Sequence, residues 1–131
     1  MAILQPIPVS RPELQALYRT LGAESGLRAI LEDFYARMAA DLMIGFFFEG
    51  KDLAAIAGKQ REFLMRAMGA APSYAGKSPA QAHIALAPIL PGHFDRRLRI
   101  LERTLQDHGL EPDQVRTWIQ FESTFREGIV K

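Results

Sequence analysis

The sequence contains no cysteine among its 131 residues. This absence excludes disulfides, thiolate-bound zinc, iron–sulfur clusters and a thiol nucleophile. The chain also lacks an excess of charge, since 16 basic residues face 15 acidic ones, and it therefore has no electrostatic footprint for nucleic acid or an anionic membrane. No apolar run reaches the roughly 20 residues of a membrane span. We expect neither a nucleic-acid nor a membrane partner.

Familiar catalytic signatures are missing as well. The apolar faces carry no paired carboxylates or histidines three or four residues apart, and there is neither a glycine-rich phosphate loop nor a serine nucleophile elbow. The first residues, MAILQPIPVSRPE, have no basic segment, and prolines interrupt their apolar stretch, so they lack the pattern of an export signal. We expect a cytoplasmic protein with no catalytic residue of these classes.

What the sequence does contain is helical periodicity. Its length and its 48% apolar content are typical of one core, and we expect an arm at residues 1–9 before a single domain at residues 10–131. No segment alternates as a strand does, so the predicted fold class is all-α. Caps and apolar steps of three and four predict helices at Ser10–Leu21, Gly26–Ala40, Leu53–Met68, Ser78–Leu86, from Phe94 until Gly109, and from Pro112 to about Ile129.

Three polar side chains lie among otherwise apolar residues of different helices. Tyr35 is on the stripe of the second helix, Gln60 on that of the third, and His83 in a predicted helix of barely two turns. Each has an ordinary explanation, because a buried tyrosine finds an acceptor, a lone glutamine is often exposed, and a core histidine is usually satisfied. Together with the phenylalanines at 46–48, they suggest one shared cavity.

The stretch from Gly26 to His83 resembles the truncated hemoglobins of bacteria, most closely their first group. The similarity rests on DFYARMAAD, the paired Phe47 and Phe48, GKQREFL, PSYAGK and a histidine nine residues after Tyr74. It continues more weakly almost to the last residue. The resemblance implies a two-over-two helical sandwich, shorter than a full globin, with haem b between the helix pairs.

Position by position, the resemblance implies a haem site. His83 matches the proximal histidine, whose Nε2 binds the iron while Nδ1–H donates to a backbone carbonyl. Tyr35, Ile56 and Gln60 match the distal pocket, where hydroxyl and amide donate to the bound gas. The other residues expected around the cofactor, by the resemblance or by their apolar stripes, are Lys59 and Tyr74 toward its propionates, and Phe47, Phe48, Phe63, Leu64, Phe94 and Arg97.

Two turns and one link depart from the family pattern. The glycine pairs that relatives carry after the first and third helices are reduced here to Gly22–Ala23 and Gly69–Ala70. We therefore expect these turns to differ in shape. The link from His83 to Phe94 has an extra residue and two prolines relative to the first group, a form closer to the third group.

A charged residue also replaces an apolar one. The position three residues after Phe94, normally apolar and close to the haem, is Arg97. An unpaired buried charge is very costly, so this arginine requires a partner. Glu122, on the apolar face of the last helix, is the natural one. There are two alternatives. Both side chains could rotate into solvent, or Arg97 could pair with a haem propionate.

The resemblance implies a haem protein that binds or transports dioxygen or binds nitric oxide. Oxidation of nitric oxide to nitrate, with a reductase as partner, is the expected enzymatic activity, and we expect a monomer or a homodimer. Two alternatives stay open. One is a gas or redox sensor, and the other is a globin scaffold that has lost haem and acts in protein interactions, against which the retained Tyr35, His83 and phenylalanines argue.

Overall fold

The computed structural model describes residues 10–71 and 88–130. The predicted arm at residues 1–9 and the predicted helix Ser78–Leu86 therefore lie outside the described residues. Within the described ranges the fold is all-α, as predicted, and an isolated parallel bridge joins Ile89 to Val130. The elements are α1 (Arg11–Thr20), α2 (Ala23–Ala40), a 3₁₀ turn (Gly45–Phe48), α3 (Leu53–Ala67), α4 (Pro91–Asp107), α5 (Pro112–Ser123) and α6 (Arg126–Ile129).

The helices form a two-over-two sandwich. Helix α2 packs on α3, α4 packs on α5, and α2 also packs against α4, while α1 contacts α2, α3 and α5. The predicted apolar stripes meet in one core because each helix buries the side on which its apolar residues recur. Side chains at the centre of this core have no accessible surface: Leu27, Phe34, Leu64, Leu101, Leu105 and Trp118.

Side chains cap the helix starts much as the sequence predicts. Ser10 Oγ accepts the Glu13 backbone N–H at 3.3 Å, which begins α1 at the predicted capping box. Histidine also acts as a cap here, because the Leu90 backbone N–H donates to His93 Nδ1 at 3.0 Å. His93 thus has a structural role at the start of α4.

The turn between α1 and α2 has an unusual backbone. Gly22 and Ala23 both have positive φ, +100° and +56°. Glycine adopts this region without penalty, but an L-residue with a side chain costs roughly 1–2 kcal/mol there. Ala23 therefore occupies a left-handed position at which the resemblance to truncated hemoglobins leads one to expect glycine.

The prediction of one continuous final helix is wrong. Helix α5 ends at Ser123, and α6 begins at Arg126. Thr124 causes the break, since both its Oγ1 (2.7 Å) and its backbone N–H (3.1 Å) donate to the Phe121 carbonyl. In a continuous helix that carbonyl would accept the Phe125 backbone N–H. Here the Phe125 N–H donates instead to the backbone carbonyl of Glu122. A side chain competing for backbone groups ends the helix.

Asp41 holds the phenylalanine-rich segment against α4. Its Oδ2 accepts the backbone N–H groups of Met43 and Ile44 at 3.0 and 3.1 Å. Its Oδ1 accepts two bonds from Arg96, at 2.9 Å from Nε and 2.6 Å from Nη2. The Arg96 guanidinium lowers the pKa of Asp41, and burial opposes this effect less strongly. The 3₁₀ turn that follows is thereby fixed in place.

Replacing Ala23 with glycine is expected to stabilise the protein. Glycine removes the free-energy penalty of the left-handed backbone. Its greater conformational freedom stabilises the unfolded chain, and this offsets ~0.4–1 kcal/mol of the gain. We expect the free energy of unfolding to rise by about 0.5–1 kcal/mol, measured by urea denaturation. Ala36→Gly, at an exposed site inside the same helix, is the control and should lose about 1 kcal/mol. Equal losses in both variants would contradict the left-handed assignment.

Asp41→Asn keeps the size of the side chain but removes the charge that Arg96 contacts. At pH 7 we expect about 1 kcal/mol less stability than in the wild type. Because the folded pKa is lowered, this difference is fully present above the unfolded pKa near ~3.9 and disappears as the pH falls through the folded pKa. Urea denaturation between pH 7 and pH 2 measures it. Asp113→Asn, at an 86% exposed carboxylate, should change little.

Candidate functional site

The structure brings Tyr35, Phe48, Ile56 and Gln60 into one region, which we call the distal cluster. Tyr35 on α2 is only 7% exposed, and its ring meets the edge of Phe48 at 6.0 Å between centroids. Ile56 and Gln60, one helical turn apart on α3, are half-buried. The residues that the resemblance assigns to a distal pocket thus come from two packed helices, and Phe48, expected around the cofactor, comes from the 3₁₀ turn between them.

Arg97 pairs with Glu122, as predicted. Arg97 Nη1 lies 3.0 Å from Glu122 Oε2, and the two side chains are 22% and 6% exposed. The guanidinium also stands over the Phe34 ring at 5.1 Å, a favourable cation–π arrangement. Burial acts to lower the pKa of Arg97, but Glu122 and Tyr35 outweigh it and raise the pKa. The alternative in which both side chains turn to solvent is excluded.

Glu122 connects the ion pair to the distal cluster. Its Oε1 accepts the indole Nε1–H of Trp118 at 3.3 Å and the amide of Gln60 at 3.4 Å. Sequence reasoning identified Glu122 but missed the role of Trp118. The signal was available, because residues four apart on a helix share a face and a buried indole N–H requires an acceptor.

The Tyr35 hydroxyl lies near this network. The Arg97 guanidinium is close enough for its positive charge to act on the pKa of Tyr35. Burial raises the pKa of Tyr35, and the positive charge of Arg97 offsets that effect only in part. The hydroxyl therefore keeps its proton at neutral pH and can donate it in a hydrogen bond.

The remaining predicted residues have different surroundings. Leu64 and Phe94 are buried in the protein, whereas Lys59 is exposed and lies 3.5 Å from Glu62. Phe47 is half-buried beside the His93 ring, at 5.2 Å between centroids. Phe63 is also half-buried, and its ring packs edge-on to that of Phe125 at 5.5 Å.

Two predicted residues, Tyr74 and His83, lie outside the described residues, so the iron ligand remains a prediction. In residues 10–71 and 88–130, no three His, Asp or Glu side chains converge on a position for a metal ion. The same part of the chain contains no helix that is long and apolar enough to cross a membrane.

An open cavity of about 270 Å³ lies elsewhere, where the turn between α1 and α2 meets the turn between α4 and α5. Its polar side chains bond within the protein, since Thr20 donates to the Ala16 carbonyl and His108 contacts Asp33 at 2.8 Å. It contains no residue of the distal cluster, and we assign it no role in the site.

Comparison with known sequences identifies the relatives of this chain. The profile of the family described as bacterial-like globin matches residues 16–129. The chain is 33% identical over 101 residues to a group 1 truncated hemoglobin of Chlamydomonas moewusii, a match covering 76% of this chain but only 59% of the algal protein. It is 30% identical over 96 residues to the group 1 truncated hemoglobin of Tetrahymena pyriformis, covering 73% and 78% of the two chains.

Solved structures show the same architecture. The 2/2 hemoglobin of Synechococcus sp. PCC 7002, in its cyanomet state with covalently attached heme, superposes with a TM-score of 0.78 at 25% identity, over 87% of this chain and 97% of that one. The Fe(III) truncated hemoglobin of Tetrahymena pyriformis gives 0.79 at 25% identity, with the same coverage. With its two-over-two helical fold and its match over residues 16–129, this chain belongs to the bacterial-like globin family.

Proposed function

We propose that this chain binds haem b and holds dioxygen or nitric oxide beside Tyr35. The observation that carries the proposal is the buried Tyr35 side chain, a protonated donor packed against the rings of Phe34 and Phe48. Haem, when bound, supplies an iron that takes up a small gas and exchanges electrons with it. The membership in the globin family and the heme of the Synechococcus relative support this assignment.

The side chains around the distal cluster fit such a cofactor. Phe47, Phe48, Ile56 and Phe63 pack against the core but stay only partly buried. Apolar surface of this kind, next to a few convergent polar groups, is typical of a site for a flat apolar ligand. Tyr35 and Gln60 supply polar groups that donate hydrogen bonds, which suits a ligand that gains negative charge. We assign His83 as the residue that binds the iron.

Each residue of the distal cluster has a distinct task in this proposal. The Tyr35 hydroxyl donates a hydrogen bond to the gas, and the Gln60 amide N–H donates a second one. Ile56 and Phe48 exclude water, which strengthens both hydrogen bonds because the local dielectric falls. Dioxygen accepts negative charge on binding and carbon monoxide much less, so these donors favour retention of dioxygen.

The proposal extends to one reaction. Oxidation of nitric oxide to nitrate transfers both atoms of dioxygen to nitric oxide and leaves the iron oxidised, so a reductase must return one electron. The residues of this chain contribute by holding dioxygen long enough for nitric oxide to arrive. The proposed location is the cytoplasm. A reductase is available there, and a protein without cysteine needs no oxidising compartment for disulfides.

His83→Gly is expected to abolish stable haem binding. Wild-type protein titrated with hemin should develop a sharp Soret band, and the variant should not, because the proximal imidazole is lost. Added imidazole should restore the band by filling the space left by the side chain. His108→Gln, at a histidine that contacts Asp33, is the matched control and should bind hemin normally. Unchanged hemin uptake by His83→Gly would refute the proximal assignment.

Tyr35→Phe should speed the release of dioxygen by about tenfold or more, the effect of losing one hydrogen bond of roughly 1.5 kcal/mol. Carbon monoxide release should change much less. Stopped-flow displacement of dioxygen by carbon monoxide measures the dioxygen rate. Tyr18→Phe, on α1, controls for the loss of a tyrosine hydroxyl from another helix. Equal release rates in Tyr35→Phe and the wild type would remove the donor role.

A further inference from the structure

Three side chains, one from each of three helices, donate to one buried carboxylate. Glu122 is 4% exposed, and it accepts hydrogen bonds from Arg97 on α4, Gln60 on α3 and Trp118 on its own helix, α5. Every buried side-chain polar atom in the described part of the chain has a partner. The carboxylate is therefore held in a single orientation, and it constrains the groups that donate to it.

The carboxylate determines how the Gln60 amide is turned. A carboxylate has only acceptor sites, so the amide must present its nitrogen and not its oxygen. The distance of 3.4 Å between Gln60 Nε2 and Glu122 Oε1 agrees with one of the two amide protons being used in this way. The second proton on the same nitrogen remains for another acceptor.

The guanidinium holds that carboxylate from α4. Arginine has five donors and no acceptor, and Arg97 Nη1 donates to Glu122 Oε2 at 3.0 Å. Phe34 lies under the same guanidinium at 5.1 Å and limits its freedom to move.

We propose that Arg97 and Glu122 are positioning residues that force the Gln60 amide to present its nitrogen, so that Gln60 acts as a hydrogen-bond donor toward the gas held beside Tyr35. The inference rests on the proposed function, and it adds a reason why the site discriminates between gases. With the Gln60 nitrogen fixed and its amide oxygen turned away, the site favours ligands that gain negative charge, such as dioxygen, over carbon monoxide.

A charge-neutral double variant tests this inference. Arg97→Met with Glu122→Gln removes both charges together, which avoids the strong destabilisation caused by one unpaired buried charge. The new amide at 122 still offers Trp118 an acceptor, but it can also donate, so Gln60 is free to turn either way. Arg116→Met with Asp113→Asn is the matched control, because it removes an ion pair of 2.7 Å from the exposed face of α5.

Infrared spectra of the ferrous carbon monoxide complex report the orientation of the donors. The C–O stretching band should be single in the wild type and in the surface control, and should shift or split in the double variant. Dioxygen release should become about tenfold faster in the double variant, as for the loss of one oriented hydrogen bond. An unchanged band and an unchanged release rate in a double variant that binds hemin would overturn the proposal, even if its stability fell.

A second measurement does not require haem. The side-chain amide resonances of Gln60, recorded by NMR on the protein without hemin, should shift in the double variant and stay in place in the surface control. Failure of the wild type to bind hemin would refute the proposed function and the ligand-directed role with it. Unchanged Gln60 resonances would refute the orienting contact itself.

Discussion

A charge buried inside a protein must find its partner there, and in this chain that requirement joins three helices at Glu122. The carboxylate meets Arg97 at 3.0 Å and also accepts from Gln60 and Trp118. Because removing one member of such a pair costs about 3–5 kcal/mol, α3, α4 and α5 are constrained to one mutual arrangement. The distal cluster inherits this rigidity, since Gln60 belongs to both groups.

Charge and apolar packing have complementary roles in the site. The core aligns α2 with α3 and thereby brings Tyr35 near Gln60, but apolar packing has no direction and does not orient a hydroxyl or an amide. The ion pair supplies direction, because a guanidinium only donates and a carboxylate only accepts. Arg97 stands where the resemblance to truncated hemoglobins leads one to expect an apolar residue, and the fold accommodates its charge by pairing it with Glu122.

Much of the fold could be predicted because its signals are local. The Ser10 cap and the apolar periodicity locate the described helices to within a few residues. The charge at position 97, with Glu122 on an apolar face, predicted the ion pair as one of three possibilities, and the structure selects it. The break at Thr124 was missed since Ile129 continues the apolar period beyond it, while the competing hydrogen bond to Phe121 leaves no trace in that period. The positive φ of Ala23 could not be predicted either, because alanine ordinarily has a negative φ and its residue type gives no sign of a left-handed backbone.

The sequence by itself determined the helical class, the identity of the polar residues on apolar stripes and the resemblance to a globin family, since periodicity and residue type are properties of neighbours along the chain. The tertiary structure decided which donors meet which acceptors. Gln60 and Glu122 are 62 positions apart. Only the packing of α3 on α2, of α2 against α4 and of α4 on α5 brings amide and carboxylate within reach. Direction in a hydrogen-bond network depends on that convergence, which no local pattern encodes.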